Sequence, residues 1–233
     1  MRIELVVFDV AGTTVFDGDA VHRCLETAVG SAGVRTTRDA VNVVMGLPKP
    51  LAIARLVAQF RGSSPSAEEV SAIYARFERL MLDHYQRAGD VRPTEGAVHL
   101  FQALRTRNVK IALDTGFGRT ILDCILERLG WDGRLLDATV ATNEVAHGRP
   151  DPDMIWRAMK LTGVADANSV GKVGDTPADL EQGRRAGCAL VIGVTSGSHT
   201  KEELGSVPHT HLIASLSELL PIVDERNGSR PVG

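Results

Sequence analysis

The chain has 233 residues, 43% of them apolar and 24% charged, with a formal net charge of −3. That length bounds it to one medium domain, or a domain carrying a smaller insertion. A nearly neutral balance without a basic stripe excludes a nucleic-acid footprint, so an anionic ligand must be met by a few local cations.

Membrane spanning is also excluded, because no window approaches the roughly 20 apolar residues that a span requires. The N-terminal apolar run lacks the flanks of a leader peptide, and the cytoplasm is the expected location. Cys24, Cys124 and Cys188 form no CxxC pair, which argues against a disulfide framework and against a zinc site.

The first apolar run, residues 3–10, delivers Asp9 onto the turn-prone stretch Ala11-Gly12-Thr13-Thr14. From about Phe16 to Val91 only helical periodicity follows, with predicted helices over residues 20–32, 50–60 and 67–85. Strand-like runs then resume at residues 109–114, 138–141, 169–174 and 189–194, each leading through a turn into a helical pattern. Strands alternating with helices argue for βαβ units. The expected fold is therefore α/β: a doubly wound, mainly parallel Rossmann-like sheet from residues 1–16 and 91–233, with a helical domain inserted at 17–90. Its hinges fall near Phe16-Asp17-Gly18 and at residues 90–94. The tail NGSRPVG after Arg226 is expected to fray.

Ligands of an open parallel sheet bind beyond the carboxyl ends of its strands. Asp9, Thr115 and Asp175 end the first, second and fourth runs, so the fold would bring them together. Carboxylate oxygens are the hard donors that Mg²⁺ prefers. Asp179, four residues after Asp175, falls in the first turn of a helix starting near Pro177 and could ligate the metal or orient its water. A carboxylate can also attack phosphorus directly. Thr115 and Gly116 offer a hydroxyl and an open backbone N–H to phosphoryl oxygens. Arg149 supplies a fixed cation for the transferring group.

Four segments carry a resemblance that covers nearly the whole chain. They are Asp9-Val10-Ala11-Gly12-Thr13, Asp114-Thr115-Gly116, Gly148-Arg149-Pro150-Asp151-Pro152-Asp153 and Gly174-Asp175-Thr176-Pro177-Ala178-Asp179. In that order they resemble the motifs of the haloacid dehalogenase superfamily, and the helical insertion is similar to that superfamily's small cap. The resemblance implies Asp9 as nucleophile and metal ligand, with the Ala11 carbonyl, Asp175 and Asp179 completing an Mg²⁺ site. Thr115 and Arg149 would assist catalysis, and Thr13, Met45, Gly116 and Arg149 would contact the substrate.

Phosphatases of that superfamily usually carry DxDGT, whose second Asp protonates the leaving oxygen; here that position is Ala11. Losing general acid help costs roughly 10²–10⁴ in rate. DxAGT, with Arg before Pro150, resembles the phosphonoacetaldehyde hydrolase (phosphonatase) subgroup, in which a cap lysine forms a Schiff base with the substrate aldehyde. Val44-Met45-Gly46-Leu47-Pro48-Lys49 is similar to that lysine's segment, which makes Lys49 the amine. Pro50 can open a helix at its first position, placing Lys49 at the positive end of the dipole. An amine poised near pH 7 needs its pKa lowered by roughly 3 units, about 4 kcal/mol, and desolvation under a closed cap must supply most of it.

Two positions depart from the subgroup. Its histidine three residues after the lysine is Ala52 here, and its cap-linker cysteine is Asp19. The expected substrate is accordingly a small phosphonate cleaved at its C–P bond through an aspartyl phosphate. A phosphatase acting on a small phosphorylated metabolite, or a catalytically weak phosphate-binding or regulatory protein, is the alternative. Lys49 then serves either as the imine-forming amine or as an anion-binding cation. Related hydrolases suggest a homodimer through the cap, with the first predicted helix as its face. His147, His209 and His211 lack partners at metal-ligand spacing and are expected on solvated loops. VGKVGD is not a phosphate-binding loop, because no Ser or Thr follows Lys172.

Overall fold

The computed structural model describes residues 2–228. The expected apolar runs form β1 (Leu5–Asp9), β2 (Lys110–Thr115), β3 (Ala138–Ala141), β4 (Val170–Gly174) and β5 (Leu190–Val194). A sixth strand, β6 (His211–Ile213), was not foreseen, and it corrects the placement of His211 on a loop. All neighbours are parallel, in the order β3-β2-β1-β4-β5-β6. Every residue of β1, β4 and β5 is buried, which is why they read as continuous rather than alternating apolar runs.

Residues two apart on a strand share a face. Val6, Phe8, Ile111 and Leu113 join the larger core with Phe101 and Leu104 of α5 (Ala97–Thr106). Leu5, Val7 and Ala112 instead pack with Met154, Ile155 and Ala158 of α7 (Asp153–Thr162). With helices on both faces, the order of connections reverses beside β1. The crevice at a doubly wound sheet's switch point lies at its carboxyl end.

Between β1 and α5 lie α1 (Ala20–Gly30), α2 (Arg38–Val43), α3 (Lys49–Arg61) and α4 (Ala67–Arg87). The first stops two residues short of expectation, α2 was not predicted, and α3 starts at Lys49 itself, with Pro50 in its first turn. Short as it is, α2 has a clear start signal: Thr37 Oγ1 accepts from Ala40 N. Helix α4 packs on α1, on α3 and on α6 (Arg119–Leu129), so it ties the insertion to the sheet layer. Phe77 and Tyr85 of α4 each place a ring 6.3 Å from Phe117. The two crossing segments run side by side: Phe16 N donates to Arg92 O and Thr94 N to Thr14 O. The Arg92 guanidinium also covers the Phe16 ring at 3.8 Å.

The last helix (Leu219–Asn227) continues past Arg226, and residues 229–233 of the expected frayed tail lie outside the described residues. All three cysteines are free. No helix among the described residues is long and apolar enough to cross a membrane.

Candidate active site

At the end of β1 the chain folds tightly over its own carbonyls. Val10 O accepts from the backbone N–H of Thr14 at 2.9 Å and Val15 at 2.8 Å, while Thr14 Oγ1 donates to Asp9 O. Gly12 adopts φ +86°, and a Cβ there would meet Asp175 Oδ2 at 2.5 Å. Only glycine lets this turn pass so close to a carboxylate from β4's end. Asp9 therefore projects into the crevice, 5% exposed.

The crevice floor is a buried ion network. Arg149, 1% exposed, contacts Asp9 Oδ1 through Nη1 at 2.6 Å and Asp179 Oδ1 at 3.0 Å, while Nη2 reaches Asp114 Oδ1 at 2.6 Å. Lys172 pairs with Asp114 Oδ1 and, at 3.0 Å, with Asp179 Oδ1. Burial raises the Asp9 pKa to about 7; Asp179 and Asp175 add to the rise, while Arg149 and Lys172 oppose it. Burial also works against the charge of Asp179, but Arg149, Lys172 and the Thr176 hydroxyl outweigh it and hold its pKa below the usual range. For Asp175, burial and the neighbouring Asp179 win over the bonds from Ser198 and Thr13, so its pKa is raised.

Asp175 is anchored rather than free. Thr13 Oγ1 donates to its Oδ1 at 3.1 Å, and Ser198 gives its Oδ2 both a backbone N–H and a hydroxyl. Asp179 opens α8 (Pro177–Ala186) as the partner of Thr176 in a capping box, so helix start and site geometry share one side chain.

The opposite wall comes from the insertion. Lys49 is 3% exposed, donates among the described residues only to Leu47 O at 3.5 Å, and lies 5.4 Å from the centre of the Phe117 ring. Burial lowers its pKa from 10.5 to about 8 against the attraction of Asp9, with Arg149 adding to the fall. Asp9, Ala11, Met45, Lys49, Thr115, Gly116 and Arg149 line one small space of about 30 Å³. That volume admits a water or two and no larger molecule. Glycines let its walls approach closely. A Cβ on Gly46 would lie 2.2 Å from Thr176 Oγ1, one on Gly116 2.7 Å from Leu47 O, and one on Gly148 2.4 Å from Pro48 Cγ. Residues 46–48 thus lie against three loops of the sheet layer.

Comparison with known proteins places this arrangement in a family. Residues 3–187 match haloacid dehalogenase-like hydrolase. The chain belongs to that family. It is 34% identical over 208 residues to phosphonoacetaldehyde hydrolase of Bordetella pertussis, covering 85% of this chain and 75% of that one. It is also 32% identical over 220 residues to phosphonoacetaldehyde hydrolase of Bacillus cereus, covering 88% and 79%. Its fold superposes on a phosphonoacetaldehyde hydrolase-like protein from Oleispira antarctica with a TM-score of 0.83, at 22% identity over 98% of this chain and 94% of that one. A hydrolase from Pseudomonas syringae gives 0.85, at 21% identity over 95% and 98%.

The hydrolase has donors suited to a divalent ion. Oxygen atoms of Asp9, Asp114 and Asp179 lie within 4.8 Å of one another, and Asp114 Oδ2 is buried without a hydrogen-bond partner among the described residues. An all-oxygen, anionic set fits a hard cation. Asp175, expected among the ligands, stands outside this trio. Sequence reasoning missed Asp114 and Lys172 as site residues. Both lie within apolar strands, and a Lys inside a fully buried strand was itself the signal, because a buried charge needs a partner.

Proposed function

We propose that this hydrolase cleaves the C–P bond of a small phosphonate of the phosphonoacetaldehyde type. The observation that carries the reading is a buried lysine with a pKa of about 8, lining the same small space as Asp9, in a chain with Ala at position 11. Its relatives named phosphonoacetaldehyde hydrolase support the substrate class. In this reading residues 17–90 act as a cap that opens to admit substrate and closes to exclude water.

The Lys49 ammonium gives up one proton and adds to the aldehyde as the free amine; that proton returns to the departing oxygen, which leaves as water, and an iminium remains. Asp9 then attacks phosphorus. The C–P bonding pair moves toward the iminium carbon and nitrogen, leaving an enamine on Lys49 and a phosphoryl group on Asp9. Water hydrolyses each: the aspartyl phosphate returns Asp9, and the enamine, protonated at carbon, returns Lys49 with acetaldehyde. Arg149, 2.6 Å from Asp9, favours the nucleophile's ionised form against its burial and meets the phosphoryl charge, with the Thr115 hydroxyl and Gly116 N–H beside it. Thr13 keeps Asp175 in place, and Met45 shapes the apolar side of the pocket. A magnesium ion would be held by Asp9, Asp175, Asp179 and the Ala11 carbonyl, and would supply the positive charge that lets two anions meet.

Ala52, fully buried where the subgroup has a histidine, favours a second reading in which a phosphate ester with a good leaving group is the substrate. Phosphate release from phosphonoacetaldehyde and from a panel of phosphate esters, with and without Mg²⁺, separates them. The proposal expects the phosphonate to be preferred and Mg²⁺ to be required. Turnover of esters alone would contradict it.

A further inference from the structure

His22, in the first turn of α1, is 4% exposed, and its Nε2 is buried without a hydrogen-bond partner among the described residues. A native interior rarely leaves such an atom unused. Its other nitrogen, Nδ1, lies 3.5 Å from Asp19 Oδ1. Asp19 in turn accepts two bonds from Arg38, at 3.0 and 2.7 Å. It holds this place at φ 68°, in the left-handed region that side-chain-bearing residues rarely adopt. Arginine, carboxylate and imidazole thus form a chain that orients one ring nitrogen and leaves the other for a ligand.

His22 also borders the site. It lines a space of about 800 Å³ together with Ala11, Met45 and Ser198, and these three line the Asp9–Lys49 space as well. Four groups act on its charge: Asp19 at the α1 N-cap favours the imidazolium, while Arg38 from α2, Lys49 from α3 and His199 after β5 disfavour it. Burial is the largest influence, and the net effect lowers the His22 pKa, so the ring is neutral at pH 7.

We propose that His22, positioned by Asp19 and Arg38, is the residue that moves protons during imine formation on Lys49, in the absence of a histidine at position 52. The inference rests on the Lys49 reading above. Neutral His22 takes a proton from the Lys49 ammonium, and the freed amine's lone pair attacks the aldehyde carbon. The carbonyl π pair moves to oxygen, which picks up the amine's second proton. His22 then returns its own proton to that hydroxyl, which leaves as water while the nitrogen pair forms C=N⁺. One ammonium and one aldehyde give one iminium and one water.

The test follows the rate at which borohydride-trappable adduct forms on Lys49 of the full chain mixed with phosphonoacetaldehyde. His22→Gln is expected to slow that rate by at least about 10²-fold, the usual worth of a general acid–base, with the final adduct yield unchanged. Free imidazole should restore part of the rate in His22→Ala, which a merely structural histidine would not allow. Adduct formation by both variants within threefold of the native rate overturns the role of His22 and leaves the imine standing. If the native chain forms no adduct at all, the Lys49 reading falls, and this inference falls with it.

Discussion

Lys172 and Lys49 are both buried and both attract the charge of Asp9, yet the fold treats them in opposite ways. Lys172 is fully buried and contacts two carboxylates, with Arg149 completing the network. Lys49, 3% exposed, has one long bond to a carbonyl and an aromatic ring. Pairing repays the desolvation of a charge; isolation leaves that cost in place and pushes the amine toward its neutral form. One lysine is held in a paired network; the other is the amine that the proposed function assigns to imine formation.

Substitution should separate them by sign. Lys172→Met leaves Asp114 and Asp179 short of a cation in a dry interior, and breaking such a network costs about 3–5 kcal/mol, read as a lower urea midpoint. Lys49→Met should instead stabilise the chain at pH 7. Its ammonium keeps its proton to 10.5 when unfolded but only to about 8 when folded, so burial costs about 3 kcal/mol below pH 8. Between those values the unfolded state binds more protons, so native stability rises with pH and the advantage of Met fades. Equal destabilisation by both substitutions would break the contrast. The smallest effect belongs to the loop that encloses Lys49. Gly46→Ala combines φ +79° with a 2.2 Å approach to Thr176 Oγ1, a strain of about 1–2 kcal/mol. It should lower kcat about tenfold with little change in the pH profile, because the strain acts on loop docking and not on the amine.

The two lysines also differ in how legible they were. Lys49 stood in a loop-to-helix junction, Gly-Leu-Pro-Lys-Pro, where a charged residue is unremarkable, and only the resemblance drew attention to it. Lys172 interrupts an apolar strand, a physical anomaly legible without any relative, because a buried charge needs a partner. Strands β1, β2, β4 and β5 were plain because burial on both faces writes an unbroken apolar run. The three residues of β6 and the six of α2 are too short to show a period. Asp9, Thr115 and Arg149 could be found because strand ends converge. His22 could not, because on an amphipathic helix a buried histidine looks like any other core position, and only the three-dimensional neighbours expose its unpaired nitrogen.

The central claim is that Lys49 is an amine kept for covalent chemistry. Borohydride reduction of the chain in the presence of phosphonoacetaldehyde, followed by mass mapping, tests it most directly. One reduced two-carbon adduct per chain, on Lys49, forming faster as pH rises toward about 8, is the expected result. No adduct, together with phosphate-ester turnover that survives Lys49→Ala, would contradict it.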